Sequence, residues 1–214
     1  YYPDEYYPGM ALKYEDKKWT AFDESAAIAL VGENAYMNVT DVVQDPWDSE
    51  HHWLGTMRSG IYEFRDYKLV NHYDYRNSPI TSILPSSPHP DWYTRVVGLN
   101  IDALGNLWML NTECDTVVRI LTPEGRWYKQ YYSELKGNPT FTHTKFDKRG
   151  WVWINSRRTL NSHLAGLLVI DTNGTVHTQN DDKHVFISSF TNQDGYSYSP
   201  IFYYCMSEDL NGDI

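Results

Sequence analysis

Two segments of the sequence superimpose without a gap. Asp102-Ala-Leu-Gly105-Asn-Leu107-Trp108 is matched by Asp147-Lys-Arg-Gly150-Trp-Val152-Trp153, 45 residues later at the Asp, the Gly, the aliphatic residue and the Trp alike. A third start, Asp209-Leu-Asn-Gly212-Asp-Ile214, lies 62 residues further on. A degenerate copy lies upstream in His51-His52-Trp53-Leu54-Gly55-Thr56, with Trp53 55 residues before Trp108. A period of this size marks a supersecondary unit that buries its apolar face only against a neighbouring copy.

The residues around each copy define the unit. A strand-like run precedes each Asp: Val39–Val43, Val96–Ile101 and Thr142–Phe146. Another follows each Trp: Gly60–Phe64, Val117–Leu121 and Gly166–Ile170. A turn and a fourth run then follow, Thr122–Gly125 with Arg126–Tyr131, and Asp171–Gly174 with Thr175–Gln179. Asp caps a turn through its side chain and Gly supplies positive φ, so D-x-x-G is a tight turn between strands a and b. Four short strands every 45 to 60 residues predict an all-β chain, a β-propeller of four-stranded antiparallel blades. The whole blades fall at about 36–75, 94–132 and 140–180. Partial blades fall at 1–35, where Gly9–Tyr14 and Lys18–Phe22 read as strands c and d, and at 200–214, where Tyr203–Glu208 reads as strand a. The expectation is an arc of a larger ring, with closure of the two halves into a four-bladed ring as the alternative. Only Ser25–Glu33 reads as helical.

Composition narrows the function classes. Asp and Glu number 28 against 18 Lys and Arg, a formal net charge of -10. This balance disfavours a nucleic-acid or anionic-membrane partner, a local basic patch aside. The longest wholly apolar run, Ala26–Val31, is far short of the ~20 residues of a spanning helix. The chain opens at Tyr1-Tyr2-Pro3 without a signal-peptide pattern, which leads us to expect a removed leader or a piece of a longer exported polypeptide. Cys114 and Cys205 are too few for a disulfide framework and lack metal spacing. Eighteen Tyr and eight Trp suit half-wet β surfaces.

The D-x-x-G-N-L-W pattern followed by G-ϕ-ϕ-x-ϕ resembles the two-component regulator propeller repeats of Bacteroidetes. That resemblance implies a periplasmic sensor domain responding to glycan fragments, in a full-length protein able to carry a histidine kinase. Family copies continue as W-[IV]-G-T. Trp53-Leu-Gly-Thr56 keeps this, whereas Trp108-Met-Leu-Asn111 and Trp153-Ile-Asn-Ser156 depart from it. The stretches around Ile61–Phe64, Asn77–Pro79 and Gly98–Trp108 are also similar to surface propellers associated with type IX secretion, of the PorZ-like kind. That second resemblance implies delivery of anionic lipopolysaccharide.

Candidate chemistry is sparse. Catalytic carboxylates must converge, about 5–9.5 Å apart for glycoside hydrolysis, but the repeat puts Asp102, Asp147 and Asp209 at separate turns. No nucleophile elbow, P-loop or Cys–His signature is present. We therefore expect no catalysis, with a propeller glycosidase or lyase as the alternative, and no cofactor or metal. Asp209-Leu-Asn-Gly-Asp213 has its Gly too early for a calcium loop. His51 and His52, adjacent on a strand, point to opposite faces and are expected at a wet edge; His143 and His163 have no assigned role. The connections between strands d and a, and between b and c, are long: Asp74–Arg95, Tyr132–Phe141, Asn155–Ala165 and Asp181–Pro200. In a propeller both kinds lie on one face, and loops on a rigid scaffold carry function. Arg58, Trp92, Tyr93, Asn111, Arg157 and Arg158 are the candidate ligand contacts there, with Glu113, Tyr196 and Tyr198 nearby. Aromatic planes beside Arg and Asn donors suit an oligosaccharide; the alternative is that the aromatics pack their own loops. An envelope protein and the remaining blades of the same polypeptide are the other expected partners, at the periplasm or cell surface.

Overall fold

The computed structural model describes residues 10–157 and 165–214. The chain divides into two compact units, 1–101 and 102–214. Strands dominate both, as the repeat predicts.

The first unit opens with a hairpin of β1 (Leu12–Glu15) and β2 (Lys18–Ala21). Its two-residue turn puts Asp16 at φ 50° and Lys17 at φ 63°, the left-handed pair that a tight hairpin needs. Helix α1 (Ser25–Val31) follows, then a sheet of β3 (Val39–Asp45), β4 (Asp48–Thr56), β5 (Ile61–Arg65) and β6 (Lys68–Tyr73) paired in chain order. Strand alternation sorts the side chains. Leu54, Tyr62 and Phe64 point to one face and form a core with Ala11, Phe22, Ala27 and Tyr36. Phe22 sits edge-on to His52, Phe64 and Tyr67 at 5.0–5.4 Å. On the other face Trp53 stands opposite Glu63. The long connection after β6 holds one 3-10 turn, Pro90–Tyr93, and leads into β7 (Val96–Ile101).

In the second sheet the order is β7, β8 (Leu107–Asn111), β9 (Val118–Leu121) and β10 (Trp127–Gln130). The third consists of β11 (Phe141–Phe146), β12 (Val152–Ser156), β13 (Gly166–Asp171) and β14 (Lys183–Ile187). Each sheet is a four-stranded antiparallel meander, the propeller-blade pattern. A short hairpin, β15 (Phe190–Thr191) with β16 (Ser197–Tyr198), follows the third.

Two strand assignments made from the sequence change. The fourth strand of the third blade is Lys183–Ile187, not Thr175–Gln179. Gln179 is diverted: its side-chain amide pairs with the backbone N–H and C=O of Tyr131 at the end of β10. Phe186 and Val185 supply the apolar partners for Leu168 and Val169 that the polar 175–179 run lacks. Tyr203–Glu208 forms no strand, although its chain is tied down where the Tyr203 amide donates to the Arg157 carbonyl.

Candidate functional site

The repeated acids are structural hubs. Asp102 Oδ1 accepts the backbone amides of Leu104 and Asn106, closing the turn. Its Oδ2 accepts the Asn106 side-chain amide at 2.8 Å and the Trp108 indole N–H at 2.9 Å. Asp147 repeats this geometry, taking the Arg149 and Trp151 amides and the Trp153 indole at 3.1 Å. The six-residue spacing from Asp to Trp is the reach from the turn carboxylate to the indole N–H on the following strand. Burial alone would raise the Asp147 carboxyl's pKa, but hydrogen bonds from Arg149, Trp153 and the turn amides outweigh it and hold it below the usual carboxylate range. A carboxylate so committed has no lone pair free for acid–base work. Asp209 accepts the Asn211 and Asp213 amides in the same manner, closing a turn of the same kind.

The residues two and three places after each Trp differ between blades for physical reasons. A Cβ at Gly55 would lie 3.2–3.4 Å from Thr40, the Val96 carbonyl and Leu99, so Gly admits β7 closely. Asn155, at the equivalent place, instead accepts the His143 amide and donates to Thr142 Oγ1 and the Tyr203 carbonyl. The next position is polar and fully buried in all three: Thr56, Asn111 and Ser156. Thr56 Oγ1 donates to the Gly60 carbonyl and accepts the Ser59 amide. Ser156 accepts from Asn138 at 2.6 Å. Asn111 takes a 3.5 Å contact from the buried Arg119.

These contacts bear on the candidate ligand residues. Asn111 is fully buried and faces Arg119 instead of solvent. In the first unit Arg58 lies over the Trp92 ring at 5.3 Å and donates to the Asn34 carbonyl. His89 stacks on Trp92 at 4.3 Å with the planes 12° apart. Trp92 is therefore engaged with its own loop, and Tyr93 closes the same 3-10 turn. In the second unit Arg157 is exposed and lies over Tyr204 at 5.3 Å, and Tyr204 stacks with Phe202. Arg158 and His163 lie outside the described residues. Tyr196 and Tyr198 are exposed on the β15–β16 hairpin. Sequence reasoning missed Phe202 and Tyr204: Tyr204 lies in the run Tyr203–Glu208 that reads as a strand and Phe202 just before it, and the aromatic density there was the available signal.

His51 and His52 do point to opposite faces, but neither is at a wet edge: they are 9% and 4% exposed. His51 lies between Asp45, 3.1 Å from Nδ1, and Glu63, 2.8 Å from Nε2. Asn71 donates to the far oxygen of Glu63, so a row of polar side chains crosses all four strands of the sheet. His52 is buried against Phe22, and burial pushes its pKa down. Among the described residues, no three His, Cys, Asp or Glu side chains are placed to hold a metal. No helix among them is long and apolar enough to cross a membrane.

No protein-family model matches the sequence, and no curated protein does. Solved structures do. The extracellular domains of BT4673 and BT3049 from B. thetaiotaomicron, described as one-component and hybrid two-component systems, align at TM-score 0.49 with 11% and 16% identity. The alignments cover 91% and 81% of this chain and 28% and 26% of those. PorZ of Porphyromonas gingivalis, described as an essential bacterial surface component of the type IX secretion system, aligns over 95% of this chain at TM-score 0.84 and 26% identity. The chain spans 27% of PorZ's length, and over that span it is similar to PorZ in both fold and sequence.

Proposed function

We propose that this chain is a non-catalytic segment of an exported β-propeller that acts at the bacterial cell surface in type IX secretion. The observation that carries the reading is the likeness to PorZ, 0.84 in TM-score over 95% of the chain. The hub role of Asp102 and Asp147 supports the non-catalytic part, since each carboxylate is held by a turn and an indole. In-frame deletion of residues 36–187 from the host gene tests the reading. The expected outcome is loss of type IX cargo from the cell surface, measured by protease shaving of intact cells. Normal cargo display together with a lost transcriptional response to glycans would replace it with the sensor reading, which Trp53-Leu-Gly-Thr56 and the D-x-x-G-N-L-W repeat favour.

Saccharide recognition, in this proposal, belongs to the Arg58–Trp92–Tyr93 group. The indole edge beside the Arg58 guanidinium suits a sugar hydroxyl or carboxylate. A glycan array with the intact protein should give binding that Trp92→Ala weakens about tenfold, because the indole edge is lost and Arg58 loses the ring that positions it. Equal binding by the variant would remove this group from consideration.

A further inference from the structure

The second unit buries a row of three polar side chains that the turn hubs and the saccharide group leave unused. Gln130, at the end of β10, and Tyr132, just past it, are both buried. Asp182 reaches them from the position before β14. Tyr132 Oη lies 3.0 Å from Gln130 Oε1 and 2.8 Å from Asp182 Oδ2. The row thus ties the second blade to the third, 50 residues on in sequence. Gln179 makes a second tie beside it, to the backbone of Tyr131.

The row needs more protons than an ionised carboxylate leaves it. Three oxygens are joined by two short contacts, and each contact takes one proton. A phenol has one to give, whereas an amide oxygen and an ionised carboxylate have none. An ionised Asp182 therefore leaves one of the two contacts as bare oxygen against oxygen. A protonated Asp182 completes both: its O–H donates to Tyr132 Oη, and the Tyr132 O–H donates to Gln130 Oε1. The other carboxyl oxygen carries the same message. Asp182 Oδ1 is buried without a donor among the described residues. A neutral carbonyl oxygen tolerates that far better than a charged one.

We propose that Asp182, Tyr132 and Gln130 form a proton-closed latch between the second and third blades, shut while Asp182 is neutral and loosened when it ionises. The surroundings favour the neutral acid. Burial holds the Asp182 carboxyl above the usual carboxylate range; Asp181 and Asp171 add to this, and the Tyr132 hydroxyl and His184 oppose it. His184 meets the Tyr132 ring edge-on at 5.1 Å and has Glu134 3.4 Å from its Nε2, and Lys183 stands opposite Asp171 across β13 and β14. Burial, and then Asp182, push the Tyr132 phenol up, so it keeps its proton throughout. A carboxyl whose pKa is raised by folding contributes stability that is complete below the unfolded value and is lost as pH rises through the folded one. The latch therefore closes on acidification.

Hydrogen-exchange mass spectrometry on the full-length protein tests it, with rates corrected for the intrinsic effect of pH and β12 as the internal reference. Peptides covering 130–135 and 176–184 should exchange about tenfold faster at about pH 8 than at about pH 4.5 in the wild type. Asp182→Asn supplies a neutral amide whose Nδ2 donates to Tyr132 at any pH. It should exchange more slowly than the wild type at about pH 8 and match it at about pH 4.5. The His184–Glu134 pair is present in both proteins, so the difference between them reports Asp182 alone. Tyr132→Phe keeps the ring and removes both contacts, and should exchange fast at both pH values; if it fails to fold, the Asp182→Asn comparison decides. Faster exchange in Asp182→Asn at about pH 8 would overturn the proposal, since it would mean an ionised Asp182 accepting from Tyr132 with the Gln130 amide turned to donate. Equal rates in Asp182→Asn and wild type at both pH values would overturn it too, because Asp182 would then share no proton with the row.

Discussion

Asp102 does the work of several residues at one position. It closes a turn through two backbone amides and fixes Trp108, whose ring is fully buried and packs edge-on to Phe146 at 5.8 Å. Removing the carboxylate leaves a buried indole N–H without an acceptor, which is costlier than the bond itself is worth. Asp102→Ala should therefore destabilise the chain by about 1–3 kcal/mol, a fall in Tm of roughly 2–12 °C for a protein of this size. Asp102→Asn should not rescue it, because an amide NH2 turned toward the Trp108 and Asn106 donors would repel them. The paired control is Asp209→Ala, at an exposed turn with only backbone amides and Asn211 as partners, where differential scanning calorimetry should register little change. Equal losses for Asp102→Ala and Asp209→Ala would show that the indole bond contributes nothing.

At the level of elements, the first three strands of each blade were legible because their period-2 runs lie between fixed punctuation, an Asp, a Gly and a Trp. The fourth strand of the third blade was not. Which of two candidate runs pairs with β13 is decided by Gln179, held 48 residues away in sequence on the backbone of Tyr131. Nothing local announces such a tether. The burial of His51 and His52 was hidden for a similar reason: its partners Asp45, Glu63 and Phe22 come from other elements. The candidate ligand residues were read as one group, yet Asn111 and Trp92 are committed to their own surroundings, since a polar residue at a strand end says nothing about which way the loop closes over it. Local constraint also makes a prediction at Gly60, the entry to β5. Its φ is +83°, and a Cβ there would stand 2.2 Å from the Tyr73 carbonyl oxygen. Gly60→Ala must either strain the backbone or part β5 from β6. Its urea midpoint should drop well below that of an alanine placed at Gly125, which has open space around it. Indistinguishable midpoints would mean that the β5–β6 entry relaxes freely.

The whole chain should respond to acid in two stages, because two kinds of group titrate differently once folded. His52 and His72 are both held below the usual imidazole range, chiefly by burial. His72 stacks on Tyr62 at 4.4 Å and donates from Nε2 to the Ser59 carbonyl, and His52 packs against Phe22. A folded-state pKa below the unfolded value of about 6.5 means that the native state binds fewer protons. The stability they contribute is complete above that value and is lost as pH falls through the lower folded values. Asp147 adds a second stage by the same sign: its depressed carboxyl stabilises the fold above the unfolded value of about 3.9, and that contribution disappears as pH falls further. Glu24 and Asp182, whose burial holds them above the usual carboxylate range, act with the opposite sign, so the two stages are read as differences between the urea midpoints of each variant and the wild type, below about pH 6.5 for the histidines and below about pH 4 for Asp147. His52→Leu keeps an apolar side chain against Phe22 and removes one titrating group, so it should reduce the first decline and leave the second intact. Asp147→Asn should do the reverse, with a lower midpoint at neutral pH because the Trp153 indole loses its acceptor. A His52→Leu midpoint that keeps a constant offset from the wild type between pH 7 and pH 5 would show that His52 takes up its proton without disturbing the packing around it.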